Sequence, residues 1–221
     1  ILDYNPIAKI SKQFFTRLQS SVLGSMINNS LEMLPKNIST LINWMDSEGN
    51  HIKALTNTTF LECDALTVLF LHGNQVCLLP ANTFSSLKDL GELDLSSNMI
   101  TELPCYLFKD MNHRITEFNL SFNPLSHLSE DHIKSLQQLQ YLEMTEILNI
   151  NGRTFQHTRD LSYMYVYVYE LCALFIVNEL CNLPNSKKDT KVCLMNRVPK
   201  VSADFIDCKY SQCTTGSDLQ F

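Results

Sequence analysis

The chain has 221 residues, of which 45% are hydrophobic and 18% charged, and this composition predicts a folded protein rather than a disordered one. Its net charge of −6 is uneven, because positions 1–181 carry 11 basic and 19 acidic residues whereas positions 182–221 carry 6 and 4. An acidic body repels phosphate backbones, so the charge disfavours a nucleic-acid partner and suits a basic one.

A repeat with a period near 24 residues starts at the first residues of the chain. It is marked by asparagines at steps of 24, 21, 24, 24 and 25 residues, namely Asn5, Asn29, Asn50, Asn74, Asn98 and Asn123. The clearest copies read LTVLFLHGNQVCLLPANTFSSL from Leu66 and LGELDLSSNMITELPCYLFKDM from Leu90. This lettering is typical of a leucine-rich repeat. It predicts an α/β solenoid with a parallel β-sheet on the concave face and an irregular or short-helical convex face.

The spacing inside one copy has a physical interpretation. Alternation along a strand directs Leu93 and Leu95 into the core, and Glu92 and Asp94 away from it. The asparagine is expected to be polar and yet buried, because its side chain can bond backbone groups of its own turn and of the next coil. A leucine-rich helical bundle is the alternative, and the regular asparagine phase disfavours it.

The N-terminal copies depart from the template. Ser21, Gly24 and Met26 occupy core positions of the second copy, and Ser47 replaces a leucine in the third. Exchanging a core leucine for a small residue typically costs about 2–5 kcal/mol. We therefore expect a loosely packed N-terminal third, and a decayed, non-functional product is an open alternative.

The last copies lead into a cysteine-containing segment. The motif LSYMYV from Leu161 is expected to be the last strand, followed by ELCALFIVNELC, in which eight residues separate Cys172 from Cys181. A disulfide-tied cap over the final coil is the favoured interpretation, and two free buried thiols are the alternative. The predicted domains are the repeats (1–166), a C-terminal cap or hinge (167–195) and a poorly ordered tail (196–221).

Cysteine content and glycosylation motifs favour an extracellular or secreted location. The chain has 8 cysteines, and N-x-[ST] triplets make Asn28, Asn37 and Asn57 candidate glycosylation sites. A fourth triplet begins at Asn119, on an outward strand position, and we expect it to be unused. Cys63 is predicted to be an ordinary core thiol. The pairing of the cysteines beyond the cap stays open.

The sequence does not predict a membrane span or an enzyme. The run Met164–Leu180 is apolar but contains Glu170 and Glu179, which are costly to bury in hydrocarbon, so any membrane anchor is expected outside this chain. The sequence has no H-E-x-x-H, G-x-S-x-G, C-x-x-C or phosphate-binding glycine loop. We therefore predict a binding protein with no catalytic residues, metal or cofactor.

Outward strand residues define a candidate binding face. Carboxylates from neighbouring strands are expected to share it with aromatic rings, a composition that suits a basic peptide with an apolar anchor. A solvated acidic face that only aids solubility is the alternative. The predicted peptide-binding residues are Trp44, Asp46, Glu48, Phe70, Glu92 and Asp94.

Several motifs, among them N-W-x-D-x-E-G-N-x-I and F-S-S-L-K-x-L-G-E-L-D-L-S-S-N, resemble the ectodomain of the relaxin-family peptide receptors. The resemblance covers roughly Asn5 to Cys181. It implies a fragment of a G-protein-coupled receptor, without the seven-helix domain, that binds an insulin-like or relaxin-type peptide hormone. It also implies that Asp46 with Glu48, and Glu92 with Asp94, bind arginines of the hormone. A generic extracellular leucine-rich-repeat interaction module is the alternative.

Overall fold

The computed structural model describes residues 1–11, 13–16, 23–35, 38, 40–105, 107–109, 111, 114–145, 147, 150, 152–168 and 191–196. These residues form a solenoid with one eight-stranded sheet, whose strands are all parallel and follow one another in chain order. The strands are β1 (Leu23–Ser25), β2 (Trp44–Asp46), β3 (Val68–Phe70), β4 (Glu92–Asp94), β5 (Glu117–Asn119), β6 (Tyr141–Thr145), β7 (Tyr163–Val168) and β8 (Lys191–Asn196). The helical segments are α1 (Gln13–Thr16), α2 (Glu130–Ile133) and the 3-10 helix η1 (Gly152–Phe155). The predicted leucine-rich-repeat solenoid is confirmed.

The strands stack in register, so equivalent positions of successive coils form straight rows. The middle residue of each short strand points inward, and Met45, Leu69 and Leu93 are at most 2% exposed. Residues on either side of these positions point outward from the sheet. Since one coil cannot bury its apolar side alone, this stacking supplies the core.

The asparagines form a buried ladder at the corner that follows each strand. Asn98 is representative: its side-chain amide donates to the carbonyls of Leu71 at 2.9 Å, Leu95 at 3.0 Å and Ser96 at 3.1 Å, and its side-chain oxygen accepts the Val76 N–H at 2.9 Å. The same pattern is present at Asn50, Asn74 and Asn123. The predicted role of the asparagine slot is therefore confirmed.

A second regularity at the same corner was not predicted. The residue before each ladder asparagine has a positive φ angle, which residues other than glycine adopt at a cost in conformational energy. The φ angles are 57° at Tyr4, 50° at Asn28, 64° at Gly49, 65° at Gly73, 52° at Ser97 and 57° at Phe122. At position 49 a Cβ would in addition overlap the Asn28 side-chain oxygen, so a larger residue there would force that side chain to move.

Phenylalanine rings fill the back of the central coils. Phe60 stacks on Phe84 with ring centroids 5.9 Å apart, and Phe84 stacks on Phe108 at 6.2 Å. All three rings are essentially inaccessible to solvent. Cys63 lies in the same core, as predicted, and burial raises the pKa of its thiol to about 12.

In the N-terminal coils, a neighbouring side chain compensates for one of the small core residues but not for the other. A Cβ added at Gly24 would lie 3.3 Å from Ile42 Cδ1, so the Ile42 side chain occupies the space above this glycine. Ser47 is fully buried, and its hydroxyl finds no hydrogen-bond partner among the described residues. The stability consequence predicted for these coils stays a prediction.

The sheet extends beyond the expected last strand. The expectation that the motif from Leu161 forms the last strand is wrong, because β8 pairs with β7 in parallel over Tyr163↔Lys191 to Val168↔Asn196. Cys172 and Cys181 lie outside the described residues, as does the predicted tail, so the cap, its disulfide and the domain boundaries stay predictions. Within the described parts of the chain, no helix has the length and apolar character that crossing a bilayer requires.

Candidate functional site

The candidate site is the outward side of the sheet, which we call the strand face and define by the outward residues of β1 to β7. Its first row runs across the strands through Leu23, Trp44, Val68, Glu92, Glu117, Tyr141 and Tyr163. Its second row runs through Ser25, Asp46, Phe70, Asp94, Asn119, Glu143 and Tyr165. Stacking of repeats typically makes this side of a solenoid concave.

The structure brings the six residues predicted to bind peptide to one part of the strand face. We call this part the acidic half, and we include in it Glu48 and His72, which lie two residues beyond β2 and β3. Trp44 and Phe70 form an edge-to-face pair with centroids 6.0 Å apart. Asp46 and Asp94 belong to the same row and flank Phe70, whereas Glu92 belongs to the first row.

Two of the acidic residues have a structural role that the sequence interpretation missed. The Asp46 carboxylate accepts the Glu48 N–H at 3.0 Å, and the Asp94 carboxylate accepts the Ser96 N–H at 2.7 Å. Asp46 is also only 6% exposed, and burial raises the pKa of its carboxyl group. These two aspartates therefore help to shape the turn after each strand, and little of Asp46 is accessible to a partner.

A histidine links the remaining acids of this half. His72 Nε2 lies 3.0 Å from Glu48 Oε1, and His72 Nδ1 lies 3.9 Å from Asp94 Oδ2. A partner that approaches the Glu48 carboxylate would therefore compete with the His72 side chain for it.

Glu92 and Glu117 differ from these acids. They are neighbours in the first row, and no Lys, Arg or His forms an ion pair with either of them among the described residues. Burial, and then repulsion from Glu117, raise the pKa of the Glu92 carboxyl group. Two adjacent carboxylates without an internal cation favour a cation from elsewhere.

The C-terminal part of the strand face carries a group of tyrosines that the sequence interpretation did not assign to the site. We call Tyr141, Tyr163, Tyr165 and Tyr167 the tyrosine wall. Tyr141 and Tyr163 are parallel to within 1° with centroids 5.0 Å apart, and Tyr163 lies 6.4 Å from Tyr165. The available signal is the alternating YMYVYVY sequence, which by itself indicates only a strand and the start of an apolar run.

A polar chain joins the tyrosine wall to the acidic half. The Tyr167 hydroxyl donates to Glu143 Oε2 at 3.3 Å, and the Asn119 amide donates to the same oxygen at 3.3 Å and to Asp94 Oδ2 at 3.5 Å. Burial raises the pKa of the Glu143 carboxyl group, and burial beside Glu143 raises the pKa of Tyr167 to about 12. Tyr167 is therefore a neutral donor at physiological pH.

These contacts bear on the glycosylation candidates. The Asn119 amide nitrogen, the atom that would carry a glycan, lies half-buried between two carboxylates, which supports the expectation that this site is unused. Asn57 is exposed in a turn away from the sheet, and Asn28 is exposed at a corner. Asn37 lies outside the described residues. Glycosylation of Asn28, Asn37 and Asn57 stays a prediction.

The outward positions of β1 to β7 and the strand that follows them differ in basic residues, because β8 begins with Lys191, which pairs with Tyr163 at the end of the first row. None of the outward residues of β1 to β7 is a lysine or an arginine. Arg114 instead pairs with Asp89 at 3.3 Å, and Lys134 pairs with Asp131 at 2.7 Å on α2. In the described residues no group of His, Cys, Asp and Glu has an arrangement that could hold a metal ion.

The comparison with protein families agrees with this architecture. A family model described as leucine rich repeat matches residues 48–100 and 90–146, which contain β3 to β6 and four of the ladder asparagines. The chain therefore contains leucine-rich repeats. Its periodic asparagines, parallel sheet and family match identify the same repeat independently.

Curated relatives of this leucine-rich-repeat protein are extracellular. It is 31% identical over 132 residues to Tsukushi of Gallus gallus, which covers 57% of this chain and 35% of that protein. It is 30% identical over 159 residues to Leucine-rich repeats and immunoglobulin-like domains protein 3 of Homo sapiens, and the alignment covers 70% of this chain and 14% of that protein. It is 28% identical over 116 residues to Nephrocan of Mus musculus, and the alignment covers 52% of this chain and 22% of that protein. The chain thus spans between 14% and 35% of the length of these relatives.

A solved structure has the same fold. A chain of the octameric complex of Latrophilin 3 (Lec, Olf), Unc5D (Ig, Ig2, TSP1) and FLRT2 (LRR) aligns with a TM-score of 0.59. The alignment covers 82% of this leucine-rich-repeat protein and 59% of that chain. At 17% sequence identity, this likeness supports the solenoid fold alone.

Proposed function

We propose that this chain is the partner-binding part of an extracellular leucine-rich-repeat protein, and that its strand face binds a basic protein or peptide. The observation that carries the proposal is the separation of charge described above. Carboxylates project from β2, β4, β5 and β6 on the strand face, whereas the described strands contribute no outward lysine or arginine up to β7. Such a field favours and orients a partner of opposite charge.

The relatives support the broad form of this proposal. Extracellular leucine-rich-repeat proteins are the common element of the matches, and in the solved complex FLRT2 is assembled with Latrophilin 3 and Unc5D. Repeat scaffolds of this kind bind other proteins over extended surfaces. A binding role needs no catalytic residue, which agrees with the predicted lack of enzymatic activity.

Charge reversal tests the proposal. We would titrate the purified chain against a panel of basic extracellular protein domains and a relaxin-type peptide, by biolayer interferometry. The Glu92→Arg/Glu117→Arg variant is expected to weaken the binding of any ligand found, because it places positive charge opposite a basic partner. We expect the dissociation constant to rise by about tenfold or more, which corresponds to a loss of about 1.4 kcal/mol of binding free energy. The matched control, Asp64→Arg/Glu102→Arg, reverses the same charge at exposed positions off the sheet and is expected to change the affinity by about twofold or less.

Comparison of the two variants shows whether binding depends on the strand face or on charge elsewhere on the surface. An equal loss of binding in both variants, with both shown to fold by thermal unfolding, would refute the strand face as the binding surface. A panel in which no basic ligand binds would refute the proposed partner class.

The hormone-receptor hypothesis is a narrower form of the same proposal. The resemblance to relaxin-family receptors supports it, and the relatives described above do not add to that support. Binding of the relaxin-type peptide that is lost in an Asp46→Ala/Glu92→Ala variant would support it. If that peptide does not bind while another basic domain does, the hormone hypothesis fails and the broader proposal stands.

A further inference from the structure

The tyrosine wall is a large aromatic surface that the core of the solenoid does not require. The inward residues beside it, Leu142, Met164 and Val166, already fill the interior and are fully buried. The tyrosines project from the opposite side of the sheet, where Tyr141 is 36% exposed. Tyr163, Tyr165 and Tyr167 are half-buried, so the wall is a partly accessible aromatic surface, and aromatic side chains are enriched in protein interfaces.

The wall is held in place by its neighbours. Tyr141 stacks on Tyr163, and Phe122 packs on Tyr167 with centroids 4.6 Å apart. The hydrogen bond from Tyr167 to Glu143 ties the end of the wall to the second row of the strand face. Ordered tyrosines offer large contact area at a small entropic cost, which is why they are frequent at binding hot spots.

Negative charge lies directly beside these rings. The register places Glu117 next to Tyr141, and Glu92 next to Glu117, in the same row. Glu117 is exposed, and neither glutamate has a cationic partner among the described residues. The first row therefore presents two unneutralised carboxylates that continue into a stack of aromatic rings.

The acidic half does not offer the same combination. Glu48 is already paired with His72, and Asp46 is almost completely buried. Asp94 uses one carboxylate oxygen for the Ser96 N–H and has Asn119 near the other. The accessible negative charge is thus concentrated towards the tyrosine wall, rather than at the positions that the sequence indicated.

We propose that the tyrosine wall, together with Glu117 and Glu92, is the main docking surface of the strand face, and that it binds an arginine-bearing segment of a protein partner. Arginine fits better than lysine because its planar guanidinium group can stack on a tyrosine ring and bond a carboxylate in two places. This inference rests on the proposed function, and it names the part of the strand face and the partner side chain that dominate binding.

A defined peptide tests the inference without knowledge of the natural partner. The probe is a fluorescent decapeptide of alternating arginine and glycine, titrated against the full chain by anisotropy, with lysine–glycine and citrulline–glycine decapeptides as matched probes. We expect Tyr141→Ala/Glu117→Gln to weaken arginine-peptide binding by about tenfold or more. Glu48→Gln in the acidic half should cause a clearly smaller loss, and Glu102→Gln off the sheet should cause none. The lysine peptide should bind several-fold more weakly, and the citrulline peptide should not bind.

Conservative variants keep the test informative if the double variant is destabilised. Tyr141→Phe retains the ring, and Glu117→Gln alone retains the wall, so each should give an intermediate loss with an unchanged thermal transition. The inference is overturned if the arginine peptide does not bind, if lysine and arginine peptides bind equally, or if Glu48→Gln causes the larger loss. If the inference fails in this way, the broader proposal still stands as long as a basic domain of the panel binds the chain, whereas the broader proposal itself fails if no basic domain binds.

Discussion

The second and third coils and the central coils build the same strand face on different interiors. In the central coils, Leu69 and Leu93 point inward and the Phe60–Phe84–Phe108 stack fills the back. In the second and third coils, Gly24 and Ser47 occupy core positions, yet Leu23, Trp44 and Val68 keep the same register. Backbone pairing and the asparagine ladder therefore maintain the outward geometry even where Gly24 and Ser47 stand in place of larger apolar residues.

The largest change in stability is expected when the central ring of the phenylalanine stack is removed. Phe84→Ala is expected to lower the free energy of unfolding by about 3–5 kcal/mol, because it empties a fully buried ring site and removes both stacking contacts. Urea unfolding followed by circular dichroism measures the change. Leu78→Ala, at a residue that is 58% exposed, is the control and should change stability by about 0.5 kcal/mol or less. A small effect of Phe84→Ala would mean that the central coils are not the better-packed region.

The next test compares two members of the asparagine series. Asn98→Ala leaves the Val76 N–H without its acceptor and the carbonyls of Leu71 and Leu95 without this donor, so we expect a loss of about 2–3 kcal/mol. Asn5 is exposed and, among the residues that the structure describes, its side chain bonds only the carbonyls of Leu2 and Asp3 in its own turn, so Asn5→Ala should cost less than about 1 kcal/mol. Equal losses in thermal unfolding would contradict the view that bonds between coils give the ladder its strength.

The smallest expected effect is at Ser47 in the third coil, where the substitution should raise the free energy of unfolding rather than lower it. Ser47→Ala removes a buried hydroxyl that has no partner among the described residues, and should stabilise the protein by about 1 kcal/mol. Ser25→Ala is the matched control, because the Ser25 hydroxyl donates to Asp3 at 2.5 Å and its removal should be destabilising. Calorimetric unfolding of the two variants would reveal the predicted difference in sign. Destabilisation by Ser47→Ala would show that this hydroxyl has a favourable role.

The fold was predictable because the information lies in spacing along one coil. The period of the asparagines, the alternation at Leu93 and the phenylalanine positions recur with each turn, and each maps to one place in the structure. The positive φ before each ladder asparagine was missed because its residues differ from coil to coil, from Gly49 to Phe122.

The candidate site was only partly predictable. The alternation correctly placed the six predicted residues on one side of the sheet, but whether they bind peptide stays a prediction. Spacing could not reveal that Asp46 is buried, that His72 pairs with Glu48, or that Asn119 and Tyr167 meet at Glu143. These properties depend on contacts between neighbouring coils, and a pattern within one coil contains no information about them.

In-register stacking also limits how such a surface can evolve. Loss of one whole turn, for example positions 75–98, would bring the flanking strands together without changing the side chains on either of them. The distance between two binding determinants can therefore change only in steps of about 4.8 Å, the separation of adjacent strands. Point substitutions alter the chemistry at a fixed location, whereas insertions and deletions of entire turns reset the spacing that a ligand must match.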